Sequence, residues 1–82
     1  MQTQTTVVLA QAATGMFAAC DADGACALLE LVKGELPGIG ARLDGDTNSI
    51  GIGELRQEPA AELSAFVHAY DCSLQAVEDG LR

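Results

Sequence analysis

Apolar and polar positions alternate in some stretches of this chain and recur every three to four residues in others. Thr5 to Ala12 alternates and is rich in β-branched residues, which predicts a strand buried on at least one side. A loop of about ten residues follows, which is longer than the usual connection and is therefore either functional or loosely packed.

Two later stretches repeat apolar residues at helical spacing. The first begins at Asp21 or Asp23, either of which can cap a helix, and it ends near Leu36. Its apolar stripe is Ala25, Leu28, Leu29, Val32 and Leu36. The second stretch covers about residues 59–70, and its stripe is Leu63, Phe66, Val67 and Tyr70. The spacing therefore predicts two amphipathic helices.

The remaining elements are predicted to be strands. Ile39–Leu43 and Thr47–Leu55 flank the turn dipeptide Asp44-Gly45 and predict a hairpin, and Cys72–Val77 alternates as a short final strand. The order β-α-β-β-α-β predicts an α+β, ferredoxin-like fold over residues 1–82 as a single domain. In that fold both helices cover one face of a four-stranded antiparallel sheet.

The predicted strand Thr47–Leu55 has two unlike faces. Ile50 and Ile52 are expected to face the helices, which leaves Gly51 and Gly53 on the uncovered face of the sheet. Glycine in a strand often marks the close approach of another backbone or a ligand, so this face is a candidate docking or homodimer surface. A bulged, locally distorted strand explains the same glycines equally well.

Four short pieces of the chain resemble the heavy-metal-associated domain of copper chaperones and metal-pumping ATPases. They are Gly15-Met16, Leu36-Pro37-Gly38-Ile39, the hairpin from Asp44 to Ile52, and Tyr70-Asp71-Cys72-Ser73-Leu74. The resemblance implies the same ferredoxin-like fold and, in that family, a C-x-x-C pair that binds a soft ion. Here Ala18 and Asp21 occupy the positions of that pair, so its metal ligands do not carry over.

Three cysteines remain as candidate chemistry: Cys20, Cys26 and Cys72. The predicted topology brings the loop before the first helix and the end of the second helix to the same end of the sheet, where the three thiols could converge on copper or zinc. The alternative is that they are free cysteines that pack as small apolar side chains. Their odd number argues against a closed disulfide framework and suits a reducing compartment.

Other polar residues are weaker candidates. Asp44, Asp46 and Asn48 have the spacing of the first ligands of a calcium loop, but Ser49 stands where that loop needs glycine. A hairpin turn accounts for the same residues. His68, the only histidine, is expected to be solvated rather than a ligand or a base. No nucleophile is paired with a histidine and an acid at any recognisable spacing, so we expect no enzyme activity.

Charge favours a protein partner. Twelve acidic and four basic residues give a net charge of −8, which repels nucleic acid and anionic membranes and attracts a basic surface. Solubility alone explains such a charge equally well. No secretory signal or membrane span is recognised, so the chain is interpreted as cytoplasmic.

The sequence thus predicts a small acidic, non-enzymatic binding or regulatory protein that needs no cofactor. It would act as an adaptor, chaperone or inhibitor on a partner with a basic surface. The residues expected to carry this binding are Asp21, Asp23, Asp44, Asp46, Gly51 and Gly53. The alternative function is a soft-metal carrier or sensor that uses the three cysteines.

Overall fold

The computed structural model describes residues 4–57 and 61–81, which form six strands and one short helix. The strands are β1 (Gln4–Gln11), β2 (Met16–Cys20), β3 (Cys26–Lys33), β4 (Arg42–Asp44), β5 (Gly51–Gln57) and β6 (Ala61–Cys72). The helix, α1 (Leu74–Gly80), follows β6 after a single residue.

The six strands close into an antiparallel barrel in the order β1-β2-β3-β6-β5-β4. β1 to β3 form one meander and β4 to β6 form another. The two meanders are joined by pairing between β3 and β6 and between β1 and β4. Closure gives each strand two neighbours, so the sheet presents no free edge.

The barrel interior is filled by side chains that alternate along each strand. Phe17, Leu29 and Leu43 are fully buried there, and Leu55 and Leu63 are nearly so. The buried interior cluster is Val7, Phe17, Ala19, Ala27, Leu29, Leu43, Leu55, Leu63, Ala65 and Val67. A six-stranded barrel is narrow, so one phenylalanine, four leucines and smaller side chains fill it.

A second apolar cluster lies on the outside of the barrel, beneath α1. Val77 and Leu81 from the C-terminal segment pack with Ala18 of β2 and Cys26 of β3. A shift of register between Val7 and Leu9 turns both Val8 and Leu9 of β1 toward this cluster. The helix therefore covers the outer face of β1, β2 and β3.

The predicted ferredoxin-like α+β fold is wrong, because both predicted helices are strands. Most of the first is β3, and residues 61–70 of the second belong to β6, while 59 and 60 lie outside the described residues. β3 is apolar on both faces, since Leu29 faces the barrel interior and Leu28 faces α1. A strand buried on both sides loses its alternation and mimics helical spacing.

The predicted final strand is also wrong, because residues 74–80 form α1. The Ser73 hydroxyl accepts a hydrogen bond from Ala76 N at 3.2 Å, which caps the first turn. The predicted ten-residue loop contains β2. β1 is confirmed within one residue at each end. β4 and β5 pair as predicted, but both are shorter than expected, and the tight turn predicted at Asp44-Gly45 is wrong, because Asp44 pairs with Arg56 and residues 45–50 form the connection.

Across residues 4–57 and 61–81, no helix has both the length and the apolar character needed to cross a membrane.

Candidate functional site

An apolar surface lies on the outer face of β5 and β6. We define the β5–β6 patch as the exposed Ile52, the half-buried Phe66 and the exposed Ile50, which is the residue before β5. Ile50 is 58% exposed and Ile52 is 69% exposed. Ile52 stands directly opposite Phe66 in the β5–β6 register, so their side chains share the outer face. Unlike the outer face beneath α1, this part of the barrel is not covered by the helix.

Charged groups border the β5–β6 patch. Glu30 stands opposite Phe66 on the neighbouring strand β3, and its Oε1 lies 2.8 Å from Nε2 of His68. The ring of His68 also packs against Phe66, with centroids 4.7 Å apart. Glu54 is exposed on the same outer face of β5. The patch therefore has an apolar centre and a carboxylate on either side.

The glycines of β5 do not lie on this exposed face. Gly51 and Gly53 share the inner face of β5 with the buried Leu55, opposite Val67 and Ala65 of β6. The predicted orientation of β5 is therefore wrong: its isoleucines point outward and its glycines inward. The burial of Leu55 fixes this orientation, because alternate residues of a strand share a face, and Gly51 has a φ of 124°, a conformation that favours glycine.

Asp21 and Asp23 lie in the tight turn between β2 and β3. Asp21 Oδ1 accepts hydrogen bonds from the backbone N–H groups of Asp23 and Ala25, at 2.9 and 3.0 Å. This arrangement is an Asx turn, so Asp21 has a structural role in shaping the connection. Asp23 is exposed.

Asp44 and Asp46 lie on a different connection, at the end of β4 and in the loop before β5. Asp46 Oδ1 accepts a hydrogen bond from Asn48 N at 2.8 Å, and its Oδ2 accepts one from the Ser49 hydroxyl at 3.2 Å. Both carboxylate oxygens are therefore used within the turn, as the hairpin interpretation of these residues expected.

A cleft of about 520 Å³ lies beside Asp44, between β4, β5 and the end of β3. Lys33 and Arg56 line it together with Asp44, Glu54 and Glu62. Arg56 and Glu62 form an exposed ion pair at 3.9 Å. Because its charges are mixed and largely solvated, the cleft does not extend the acidic surface.

The three cysteines come together although the fold differs from the predicted one. Cys20 and Cys26 are direct register partners at the end of the β2–β3 hairpin and form a disulfide. Cys26 is also the register partner of Cys72, whose thiol is free. The row β2-β3-β6 therefore places Cys26 between Cys20 and Cys72, and all three pack in the cluster beneath α1.

The disulfide bears on two expectations about these cysteines, namely that they form no closed disulfide framework and that they bind a metal. The odd number of cysteines was interpreted as evidence against a closed disulfide framework, and Cys72 is free, but Cys20 and Cys26 form one disulfide across a short hairpin. In the oxidised protein the sulfurs of Cys20 and Cys26 are bonded to each other and are not thiolate ligands. Within the described part of the chain, no group of three or more histidine, cysteine or acidic side chains is arranged to hold a metal. Copper or zinc binding by the reduced thiols stays a prediction.

No family model, curated protein or solved structure matches this chain. The resemblance to heavy-metal-associated domains stays a prediction, while the ferredoxin-like fold that it implied is not the one observed.

Sequence reasoning missed the β5–β6 patch and the pairing of Glu30 with His68. It did anticipate that His68 is exposed, which the structure confirms. The signal for the patch was the strict alternation of isoleucine with glycine from Ile50 to Gly53. This pattern predicts one large-residue face and one small-residue face, but only the closed barrel decides which of them points inward.

Proposed function

We propose that this chain is a small acidic binding module whose β5–β6 patch docks on a protein partner with an apolar centre and a basic rim. The observation that supports this is the exposed Ile52 opposite the half-buried Phe66, with Glu30 and Glu54 beside them. An apolar surface rimmed by polar groups is typical of interaction sites. A basic rim on the partner would complement both these carboxylates and the net charge of −8.

The charge also argues against a second copy of this chain as the occupant. Two molecules with a net charge of −8 repel each other, and the β5–β6 patch has carboxylates on both sides. Of the predicted binding residues, Asp23 and Asp46 are exposed and can contribute to the attractive field, whereas Gly51 and Gly53 lie on the inner face of β5, away from the patch.

Matched isoleucine variants test this proposal. Ile52→Ser removes the centre of the patch, and Ile39→Ser is the control because Ile39 is 71% exposed and lies in the connection before β4. A partner recovered with the wild-type protein and identified by mass spectrometry is expected to be basic. Ile52→Ser should lose it, and Ile39→Ser should retain it.

The second part of this test is the dependence of partner binding on salt concentration. Binding to the recovered partner is expected to weaken at least tenfold between about 0.05 M and about 0.5 M salt, because the complementary charges are screened. A partner that binds both isoleucine variants equally, or one that is indifferent to salt, would contradict the proposal. Concentration-dependent dimers of the wild-type protein that Ile52→Ser abolishes would assign the patch to self-association instead.

We propose further that the chain acts in the cytoplasm. Glutathione and thioredoxin keep thiols reduced there, so the Cys20–Cys26 bond would form only transiently. To test this, cells are quenched with acid and free thiols are labelled with an alkylating agent before the protein is isolated. All three cysteines should then carry the alkyl group. A Cys20–Cys26 bond already complete in freshly trapped protein would contradict this location.

A second candidate function, soft-metal binding, is favoured by the row of Cys20, Cys26 and Cys72 on adjacent strands. Reduction would free three thiolates, which are suitable ligands for Cu(I) or Zn(II). Titration of the reduced protein should give a one-to-one complex that Cys26→Ser abolishes. If no stoichiometric complex forms, this candidate is wrong.

A further inference from the structure

The three cysteines have an arrangement that neither proposed function uses in its oxidised form. The Cys20–Cys26 disulfide bridges β2 and β3, and the free Cys72 lies on β6, the other neighbour of β3. Cys26 is 2% exposed, and its two cysteine neighbours are half-buried in the same cluster beneath α1. A free thiol and a disulfide therefore share one face of three adjacent strands.

We propose that Cys20, Cys26 and Cys72 form a thiol–disulfide exchange site in which Cys26 is the shared sulfur and Cys72 is the internal nucleophile. The Cys72 thiolate attacks Sγ of Cys26, a new Cys26–Cys72 bond forms, and the Cys20–Cys26 bond breaks. The electron pair leaves on Sγ of Cys20, which takes up the proton that Cys72 gave up. The exchange is an isomerisation, so it consumes no oxidant and no reductant.

The order of the strands places Cys72 on the side of Cys26 from which its thiolate can attack the disulfide. A nucleophile displaces a sulfur from a disulfide along the line of the bond, from the side opposite the leaving sulfur. Because β3 lies between β2 and β6, Cys72 stands on the side of Cys26 that is opposite Cys20. The Cα atoms of opposed residues in antiparallel strands are about 4.5–5.5 Å apart, which a disulfide can span, so the product fits the same barrel.

A bulge in β6 places Cys72 in this position. Leu28 stands opposite Ala69, and Cys26 stands opposite Cys72, so β6 has one residue more than β3 in this interval. Asp71, with a φ of 54°, is the only described non-glycine residue that has a positive φ. Without the extra residue, the side chain opposite Cys26 would be that of Asp71. The bulge thus replaces a carboxylate with a thiol beside the disulfide.

The exchange would relocate the covalent link within the fold. The starting bond joins two strands of one hairpin, whereas the product joins β3 to the residue before Ser73, the cap of α1. It also releases the half-buried Cys20 thiol at the barrel end. The bond can then be transferred to an external dithiol in two further exchange steps: one external thiolate attacks the protein disulfide, and the second resolves the mixed disulfide. The external dithiol is thereby oxidised, and all three cysteines of this chain are left as thiols.

Peptide mapping of the wild-type protein tests the proposal directly. Trypsin cuts after Lys33, Arg42 and Arg56, so Cys20 and Cys26 share one peptide and Cys72 lies in another. The oxidised monomer is held at about pH 8.5, where thiolates are abundant, and is then alkylated before digestion. We expect a fraction of the protein to yield the two peptides joined by a disulfide, with the alkyl group on Cys20.

The pH and two variants complete the design. Protein held at about pH 5 should give only the Cys20–Cys26 form, with the label on Cys72, because thiolates are scarce. On mild oxidation of reduced monomers, Cys20→Ser should form the Cys26–Cys72 link. Cys26→Ser should not link its two cysteines, because the strands that carry them are about 10 Å apart. If the wild-type label stays on Cys72 alone at high pH, or if both variants link equally, the proposal is wrong.

Discussion

The outer surface of the barrel has two apolar regions, one covered by α1 and one exposed to solvent. On β1, β2 and β3 the outward side chains lie beneath α1, where Val77 is 1% exposed. On β5 and β6 the outward side chains form the β5–β6 patch, whose Ile52 is 69% exposed. The first region is a second core, and the second is apolar surface that the described part of the chain does not use for its own stability.

Because of this difference, we expect the region beneath α1 to contribute to the stability of the fold and the β5–β6 patch to contribute to binding. The helix is only seven residues long, too short to be stable alone, so its order depends on the apolar contacts it makes with the barrel. The isoleucines of the β5–β6 patch make little such contribution, since Ile50 and Ile52 are mostly exposed to water. Substitutions in the first region should therefore reduce the free energy of unfolding, whereas those in the second should mainly affect association.

Placing the same charge in both regions has the largest expected effect. Val77→Asp would bury a carboxylate without a partner beneath α1, and we expect it to lower the free energy of unfolding by about 3–5 kcal/mol. Ile52→Asp would place the same group in water and should cost about 1 kcal/mol or less. Urea unfolding followed by circular dichroism measures both. Equal losses in the two variants would show that the regions do not differ in this way.

The cap of α1 gives an intermediate effect. Ser73→Ala removes the hydroxyl that accepts a hydrogen bond from Ala76 N, and a lost cap costs about 1 kcal/mol. Ser73→Asp should retain the cap and serves as the matched control. The measurement is again the free energy of unfolding, with amide exchange of residues 74–80 as a local reporter. If Ser73→Ala changes neither, α1 is held by its packing alone.

The sequence was sufficient to predict some of the strands of the barrel but not others. β1 and the pairing of β4 with β5 were predictable, because β1 has β-branched residues and Asp44-Gly45 marks the end of β4, although the connection is six residues long rather than a tight turn. β3 was not, because Leu28 beneath α1 and Leu29 inside the barrel together imitate a helical stripe. Residues 74–80 were predicted wrongly as well, because the alternation in Cys72–Val77 favoured a strand where the structure has α1.

The candidate site was predictable only in part. The sequence allowed the three cysteines to converge, and they do, although through strand register rather than through the loops of a ferredoxin-like fold. The outward direction of Ile52 could not be predicted, because a pattern of period two defines two faces without saying which is buried. Closure of the barrel settles that choice, and closure depends on pairing between β1 and β4, which lie far apart in the sequence.

The smallest expected effect concerns the hydrogen bond between Glu30 and His68 beside the β5–β6 patch. The side chains of Glu30 and His68 are 47% and 40% exposed, so water competes for this hydrogen bond. Glu30→Gln keeps a group that can hydrogen-bond to the ring and should lower the free energy of unfolding by about 0.5 kcal/mol or less. The same variant should weaken binding to a basic partner by several-fold, because it removes a carboxylate from the rim. A loss of stability above about 1 kcal/mol would instead make Glu30 part of the fold, and the β5–β6 patch would no longer be separable from it.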